Sequence, residues 1–294
     1  MASLRVWIVC SALLLAAGCS AANPAARPAG SGAAASAAPA DPQAPQQPKL
    51  IDLEAGKAAV PSAGKLASVK KNALKVFYSN PKAGKQVALT FDDGPDNRTT
   101  PIILDILKRN HVKATFFLVG SRASAYPDMV KRIIGDGNAI GNHSWSHPDF
   151  ARVSADTARK EIADTEATLT AIAGYEPSLF RPPYGTLKAE DEPVIAQSRM
   201  NVVDWSVDTR DWAGTPAKQI LTLVRKELHP GGIILQHCSG GGTGHLANTV
   251  EALKILIPEL KEEGYTFVTV PELLNLPAAL PASSVKVASG NSQG

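Results

Sequence analysis

The stretch VALTFDDGPDNRTTP, residues 87–101, decides how the rest of the chain is read. Residues 87–91 are an apolar run that reads as a buried strand. Asp92 and Asp93 follow side by side, and Gly94 and Pro95 turn the chain at once. Adjacent carboxylates at the end of a buried strand destabilise a fold unless something positive stands near them. The pair therefore asks for a partner, and each acid asks for a task.

Outward from this stretch, short apolar runs alternate with longer amphipathic ones. The strand candidates are 86–91, 114–119, 138–142, 178–181, 201–205, 232–237 and 265–270. Helix candidates lie near 100–109, 126–135, 154–173, 188–199, 216–228 and 246–263. Ser154 stands where a helix N-cap belongs, and Gly264 is a helix-stop signal. Seven strands alternating with helices predict an α/β fold with parallel strands, either a barrel or an open doubly wound sheet. The run LKVFY at 74–78 is an ambiguous edge strand. In either architecture the active groups lie beyond the C-terminal strand ends.

Five polar clusters fall there. They are Asp92 and Asp93; His143 and His147; Arg181 and Tyr184; Asp208, Asp211 and Trp212; and Leu235 with His237. His143 and His147 are four apart, a spacing that on a helical turn puts both imidazoles on one face, able to share a metal. Ser144 occupies the place where the helical zinc-protease pattern has its glutamate, so a base must come from elsewhere.

The ordered blocks TFDDGP, HSWSH, RPPYG, DTRDW and LQH resemble the polysaccharide deacetylases, carbohydrate esterase family 4. The resemblance covers residues 85 to 275 and implies a distorted (β/α)7 barrel as a single catalytic domain, bounded at residues 66–276. It implies metal-dependent removal of acetyl groups from N-acetylated sugars. Asp93, His143 and His147 would hold a divalent ion, zinc first, with cobalt, nickel or manganese as alternatives. Asp92 would be the general base, and Arg181 its partner, whose fixed charge favours the ionised carboxylate. The backbone N–H of Tyr184 would meet the oxyanion; Pro182 and Pro183 before it have no N–H to offer. His237 would be the general acid, oriented by Asp211, with Asp208 as the rival. Leu235, Trp212 and Pro182 would line the substrate pocket around the acetyl methyl. Cys238 departs from the family, in which an acid often follows the histidine; a small buried residue is expected there.

The two ends of the chain read differently. Residues 1–18 carry one cation, Arg5, and an apolar run from Val6 to Ala17, too short to span a bilayer. They read as a signal peptide. LAAGC resembles a lipoprotein processing site, with Cys19 as the lipid-bearing residue. Residues 19–65 are rich in Ala, Pro, Gly and Ser and read as a disordered tether, and 277–294 as a loose tail. The expected place is outside the cytoplasm, on a bacterial membrane. With a net charge of +3 and no basic run, nucleic acid is not an expected partner, and a monomer is expected. The expected substrate is an N-acetylglucosamine polymer of the envelope, peptidoglycan first. Chitin oligosaccharides or an exopolysaccharide come second, and a catalytically inactive glycan-binding lipoprotein third.

Overall fold

The computed structural model describes residues 74–240 and 246–281. The signal peptide, Cys19, the tether and the end of the tail lie outside the described residues. Nine strands form one sheet. These are β1 (Val76–Phe77), β2 (Gln86–Gly94), β3 (Thr115–Leu118), β4 (Ala139–Asn142), β5 (Leu179–Phe180), β6 (Asn201–Val203), β7 (Val207–Asp208), β8 (Gly232–His237) and β9 (Thr266–Phe267). The order is β1-β6-β5-β4-β3-β2-β8-β7, with β9 also on β2, and every pairing between these strands is parallel. No ladder joins β6 to β7 among the described residues, so the sheet curls into a barrel that is open on one side. The ambiguous 74–78 run lies at that opening. As β1 it pairs with β6, and Ser79 then bridges to Gly232 at the start of β8.

Strand β2 explains the layering. Side chains on a strand alternate between faces. Val87, Leu89 and Phe91 join the apolar core that also holds residues of the outer helices α1 (Thr99–Arg109) and α7 (Ala247–Glu262). Ala88 turns the other way and joins a smaller core with Phe117, Leu179, Val203 and Ile233. Val270 and Leu273 of α8 (Val270–Leu274) belong to that inner core. Thr90 and Asp92 continue the inner face toward the C-terminal edge. Strand β8 repeats the pattern: Ile233 belongs to the inner core, and Leu235 and His237 lie further along the same face. The inner face is thus apolar at one end and polar at the other.

The helices begin where local chemistry starts them. Asp96 Oδ1 accepts from the N–H groups of Arg98, Thr99 and Thr100 and so opens α1. Ser154 caps α4 (Ala155–Ala173) through Thr157 N–H at 3.1 Å, and Gly174 ends it at φ 78°. The remaining helices are α2 (Gly120–Ala125), α3 (Pro127–Gly135), α5 (Glu192–Ser198) and α6 (Ala217–Glu227).

Three expectations need correction. The strand expected over 265–270 stops at Phe267, because Thr269 and Glu272 form a reciprocal capping box that starts α8. The helix expected over 188–199 is a 3-10 turn followed by α5, and Pro193 sits in its first turn. The chain expected to be loose from residue 277 stays attached through 281: Ser178 N–H donates to Ala278 O, Leu280 N–H donates to Glu176 O, and Leu280 packs on an apolar cluster.

Candidate active site

The acid pair separates because β2 loses register. Phe91 pairs with Phe116, but Gly94 pairs with Leu118, so the ladder slips between them. Asp93 takes φ 69°, a left-handed conformation that costs a non-glycine residue energy. Asp92 stays on the inner face of the barrel and is 3% exposed. The local strain aims both carboxylates at one region. Ser144 (φ 65°), His147 (φ 62°), Tyr184 (φ 60°) and Arg210 (φ 54°) are also left-handed, and they stand in the loops that follow the strands. Strained backbone clusters of this kind mark functional sites.

His143 and His147 do not lie on a helix. The segment after β4 is a loop. Asn142 Oδ1 accepts from Ser144 N–H, Ser144 Oγ accepts from His147 N–H, and two left-handed residues bend the chain back. The expected convergence of the two imidazoles is reached by a different backbone path. His143 Nδ1 lies 2.7 Å from Arg181 O, so it carries the proton and donates, which leaves the Nε2 lone pair free. Nε2 of His143 lies 3.5 Å from Asp93 Oδ1, and Nε2 of His147 lies 3.2 Å from it. Asp93 Oδ1 is nevertheless buried without a hydrogen-bond partner. Three donor atoms close together, with one carboxylate oxygen unsatisfied, suit a shared cation better than one another. The residues therefore fit a divalent ion.

The charges tell the same story. Burial pushes the Asp93 carboxyl up, but the neighbouring imidazoles outweigh it and set it at about 2. Burial pushes His143 down, yet Asp92 and Asp93 outweigh burial and raise it. His147 is lowered, by burial first and by His143 next.

Arg181 is fully buried inside the barrel. Its Nη1 donates to Asp92 Oδ1 at 2.7 Å and to Thr90 Oγ1 at 2.8 Å. Nε donates to Val203 O and Nη2 to Asp204 O, each at 2.9 Å. The guanidinium lies 4.0 Å from the centre of the Phe117 ring, with Trp205 further off at 5.7 Å. Asp92 Oδ1 is thereby taken, and Oδ2 faces His143 Nε2 at 3.7 Å.

Asp211, not Asp208, meets His237. Asp211 Oδ1 lies 2.7 Å from His237 Nδ1 and accepts from Trp212 N–H; Oδ2 accepts from His237 N–H and from Thr249 Oγ1. Thr249 stands in the first turn of α7, where the helix dipole favours a carboxylate. Asp208 is occupied by Arg210 N–H. Burial pushes His237 down, but the Asp211 contact outweighs it and lifts the imidazole to about 9. A histidine raised above its ordinary 6.5 stabilises the fold fully below that value, and the contribution fades as pH rises through about 9. In chelator-treated Asp211→Asn, the His237 titration followed by NMR is expected to fall from about 9, because burial is then opposed only by the charges of Asp93 and Asp92. An unmoved titration would remove Asp211 from this role.

The other expected site residues divide. Tyr184 stacks edge-on against His147 with ring centres 4.8 Å apart, in a turn closed by Gly185 N–H to Pro182 O. Pro182 is buried. Leu235 is 4% exposed and belongs to none of the apolar clusters found among the described residues, which suits a pocket wall. Trp212 is 55% exposed, so most of its indole faces solvent. Cys238 is buried with Sγ 3.4 Å from Asp92 O, and burial pushes its thiol up, as expected of a packing residue. Sequence reasoning missed Thr90, Thr249, Phe117, Trp205 and Asp204. Single threonines and aromatics carry no spacing signal. Asp204 is 6% exposed, and burial, opposed by Arg181, lifts it to about 6.

Residues 79–203 match the polysaccharide deacetylase family model. A peptidoglycan-N-acetylglucosamine deacetylase of Bacillus cereus is 47% identical over 196 residues, 67% of this chain and 70% of that protein. The chain belongs to the polysaccharide deacetylase family. A second relative, the peptidoglycan-N-acetylmuramic acid deacetylase PdaC of Bacillus subtilis, is 41% identical over 64% of this chain, which spans only 38% of that protein. The solved structure of the Bc1960 peptidoglycan N-acetylglucosamine deacetylase, in complex with 4-naphthalen-1-yl-N-oxidanyl-benzamide, shares 44% identity at a TM-score of 0.67. That comparison covers 70% of this chain and 95% of the other. A polysaccharide deacetylase is a hydrolase of N-acetyl amide bonds, and this family is metal-dependent. The family-model match ends at Val203, before the Asp211–His237 pair.

Proposed function

We propose that the protein removes acetyl groups from N-acetylglucosamine residues of peptidoglycan. The observation that carries this is the buried Oδ1 of Asp93, without a hydrogen-bond partner beside two imidazole Nε2 atoms, near the Arg181-bound Asp92 and alongside an Asp211–His237 pair. Asp93, His143 and His147 would hold the cation. A divalent ion held there would polarise the acetyl carbonyl and lower the pKa of a water, easing loss of its proton to a base. Zinc is the first candidate for a His2Asp set.

The side chains divide the proton work. Asp92 Oδ2 takes the proton of the attacking water, while Oδ1 stays on Arg181. The Tyr184 N–H, first after two prolines and aimed by the left-handed turn, donates to the oxyanion. His237 delivers a proton to the leaving amine from the imidazole that Asp211 holds charged. Leu235, with Pro182 and the inner part of Trp212, borders the methyl. Deacetylation leaves amines on the glycan and makes it more positive.

Cys19 would carry lipid, and residues 19–65 would tether the catalytic domain to the outer side of a membrane, within reach of wall glycan. Taken as a flexible coil, that tether extends roughly 35 to 40 Å on average. Cys19→Ala is expected to move the protein from the membrane to the soluble fraction. The experiment on function is acetate release from wall glycan and from chitin oligomers. Release is expected to stop with a chelator and to return with added zinc or cobalt. Release that persists through exhaustive chelation would sink the metal reading.

A further inference from the structure

A cavity opens beside the Asp93–His147 contact and takes no part in the chemistry above. It holds about 250 Å³ and is lined by Asp93, Val119, Ser121, Arg122, Ser146 and His147. Complete ligand pockets run to about 300–1,000 Å³, so this one suits a single ring or a substituent. Two of its lining residues belong to the metal triad. Whatever fills it is therefore part of the molecule that the triad addresses.

Its one cation is Arg122, in the first turn of α2. The side chain has one hydrogen bond among the described residues, Nη1 to Ser239 Oγ at 2.6 Å. Ser239 is 1% exposed and lies on the segment that follows β8, so it fixes the guanidinium from across the site. That partner is neutral, and no carboxylate among the described residues forms an ion pair with Arg122. The nearby acids are engaged elsewhere. Glu161 accepts from Ser146 N–H at 2.7 Å and from Ser146 Oγ at 2.8 Å, and Asp93 faces the imidazoles. A guanidinium has five donors in a planar fork, and the geometry it matches is that of a carboxylate. Here one donor is used to position the fork and the others are left for a ligand.

We infer that this cavity is a subsite for a carboxyl-bearing substituent of the glycan, bound by Arg122. The inference rests on the deacetylase reading above and narrows its substrate. Wall glycan alternates N-acetylglucosamine with muramic units, each carrying a lactyl ether whose carboxyl group is free where the stem peptide has been removed; chitin carries none. With an N-acetylglucosamine acetamide at the triad, the lactyl carboxyl of the adjoining muramic unit is the group that fills the cavity. Arg122 then makes the enzyme select peptide-free stretches of wall glycan over chitin-type chains.

The test is a ratio. Peptide-free wall glycan strands, with free lactyl carboxylates, are compared with chitin oligomers of matched length by kcat/KM for acetate release. The wild-type ratio favours the strands and falls with added salt. Arg122→Gln lowers the ratio about tenfold to a hundredfold, the range for a lost charge-assisted hydrogen bond. Arg122→Lys falls between, since an ammonium keeps the charge and loses the fork. Ser239→Ala, which frees the fork, lowers the ratio less, and circular dichroism melts confirm that each variant folds. A ratio unmoved by Arg122→Gln, or a wild-type ratio near one, overturns the subsite. Calorimetric binding of the strands to chelator-treated protein separates the two claims. If wild type releases acetate from neither substrate, the deacetylase reading fails, and the subsite still requires that Arg122→Gln weaken strand binding.

Discussion

Asp92→Asn is expected to cost about a hundredfold to ten-thousandfold in the rate of acetate release, the usual range for removing a general base, with the cation still bound. The structure separates the two effects. Asp92 Oδ1 accepts from Arg181 Nη1 at 2.7 Å, and an asparagine amide oxygen can accept the same bond. Volume and shape are kept, and none of the three triad atoms belongs to Asp92. What disappears is the Oδ2 lone pair that takes the proton. His143→Ala gives the opposite pattern. It deletes a triad nitrogen, so cation affinity falls along with activity. Equilibrium dialysis of zinc beside an acetate assay distinguishes the pair. Full activity in Asp92→Asn would show that another group takes the proton. Loss of the cation in Asp92→Asn would show that Asp92 is a ligand and that the division of labour between the two acids is wrong.

That division was only half legible in the sequence. TFDDGP announces two acids after a strand, and the chain elsewhere supplies histidines and an arginine at corresponding strand ends. β2 and β8 are continuous apolar runs buried on both faces, so the strands themselves could be read directly, but not which residues face inward. What resisted reading was conformation. The four-residue histidine spacing suggests a helical turn, yet His143 and His147 converge through a loop with two left-handed residues. Positive φ at Ser144 and His147 has no reliable sequence mark, because only glycine advertises it. The two-residue strand β7 was invisible for a related reason: Val207 and Asp208 are too few to show a period. Choosing Asp211 over Asp208 needed the fold as well. The two acids are three apart, Asp208 ending β7 and Asp211 just beyond it, and the α7 threonine that anchors Asp211 is 38 residues away. Likewise, nothing local to RPPYG says that its arginine lies inside the barrel against Phe117.

Arg181 is the residue whose loss is expected to damage the fold most. It is the largest fully buried side chain, and its donors reach Thr90, Asp92, Val203 and Asp204. Arg181→Met keeps an apolar chain of similar length but leaves Asp92 as a buried charge without its partner and two carbonyls without donors. Breaking a buried pair from one side costs about 3–5 kcal/mol. That is a large part of the roughly 5–15 kcal/mol by which a domain is stable. Urea unfolding of Arg181→Met is therefore expected to show a midpoint far below that of Asp92→Asn. Arg181→Lys should recover little, because one ammonium cannot reach β2 and the carbonyls near β6 at once. The double variant Arg181→Met with Asp92→Asn removes the stranded charge along with its partner. It should be more stable than Arg181→Met alone, although inactive. If the two changes simply add, the pair is not coupled, and Arg181 matters for its bonds to Val203 and Asp204 rather than for holding the acid. Coupling of a few kcal/mol would mean that the acid that is costly to keep at the end of β2 is retained with an arginine built into the barrel to hold it.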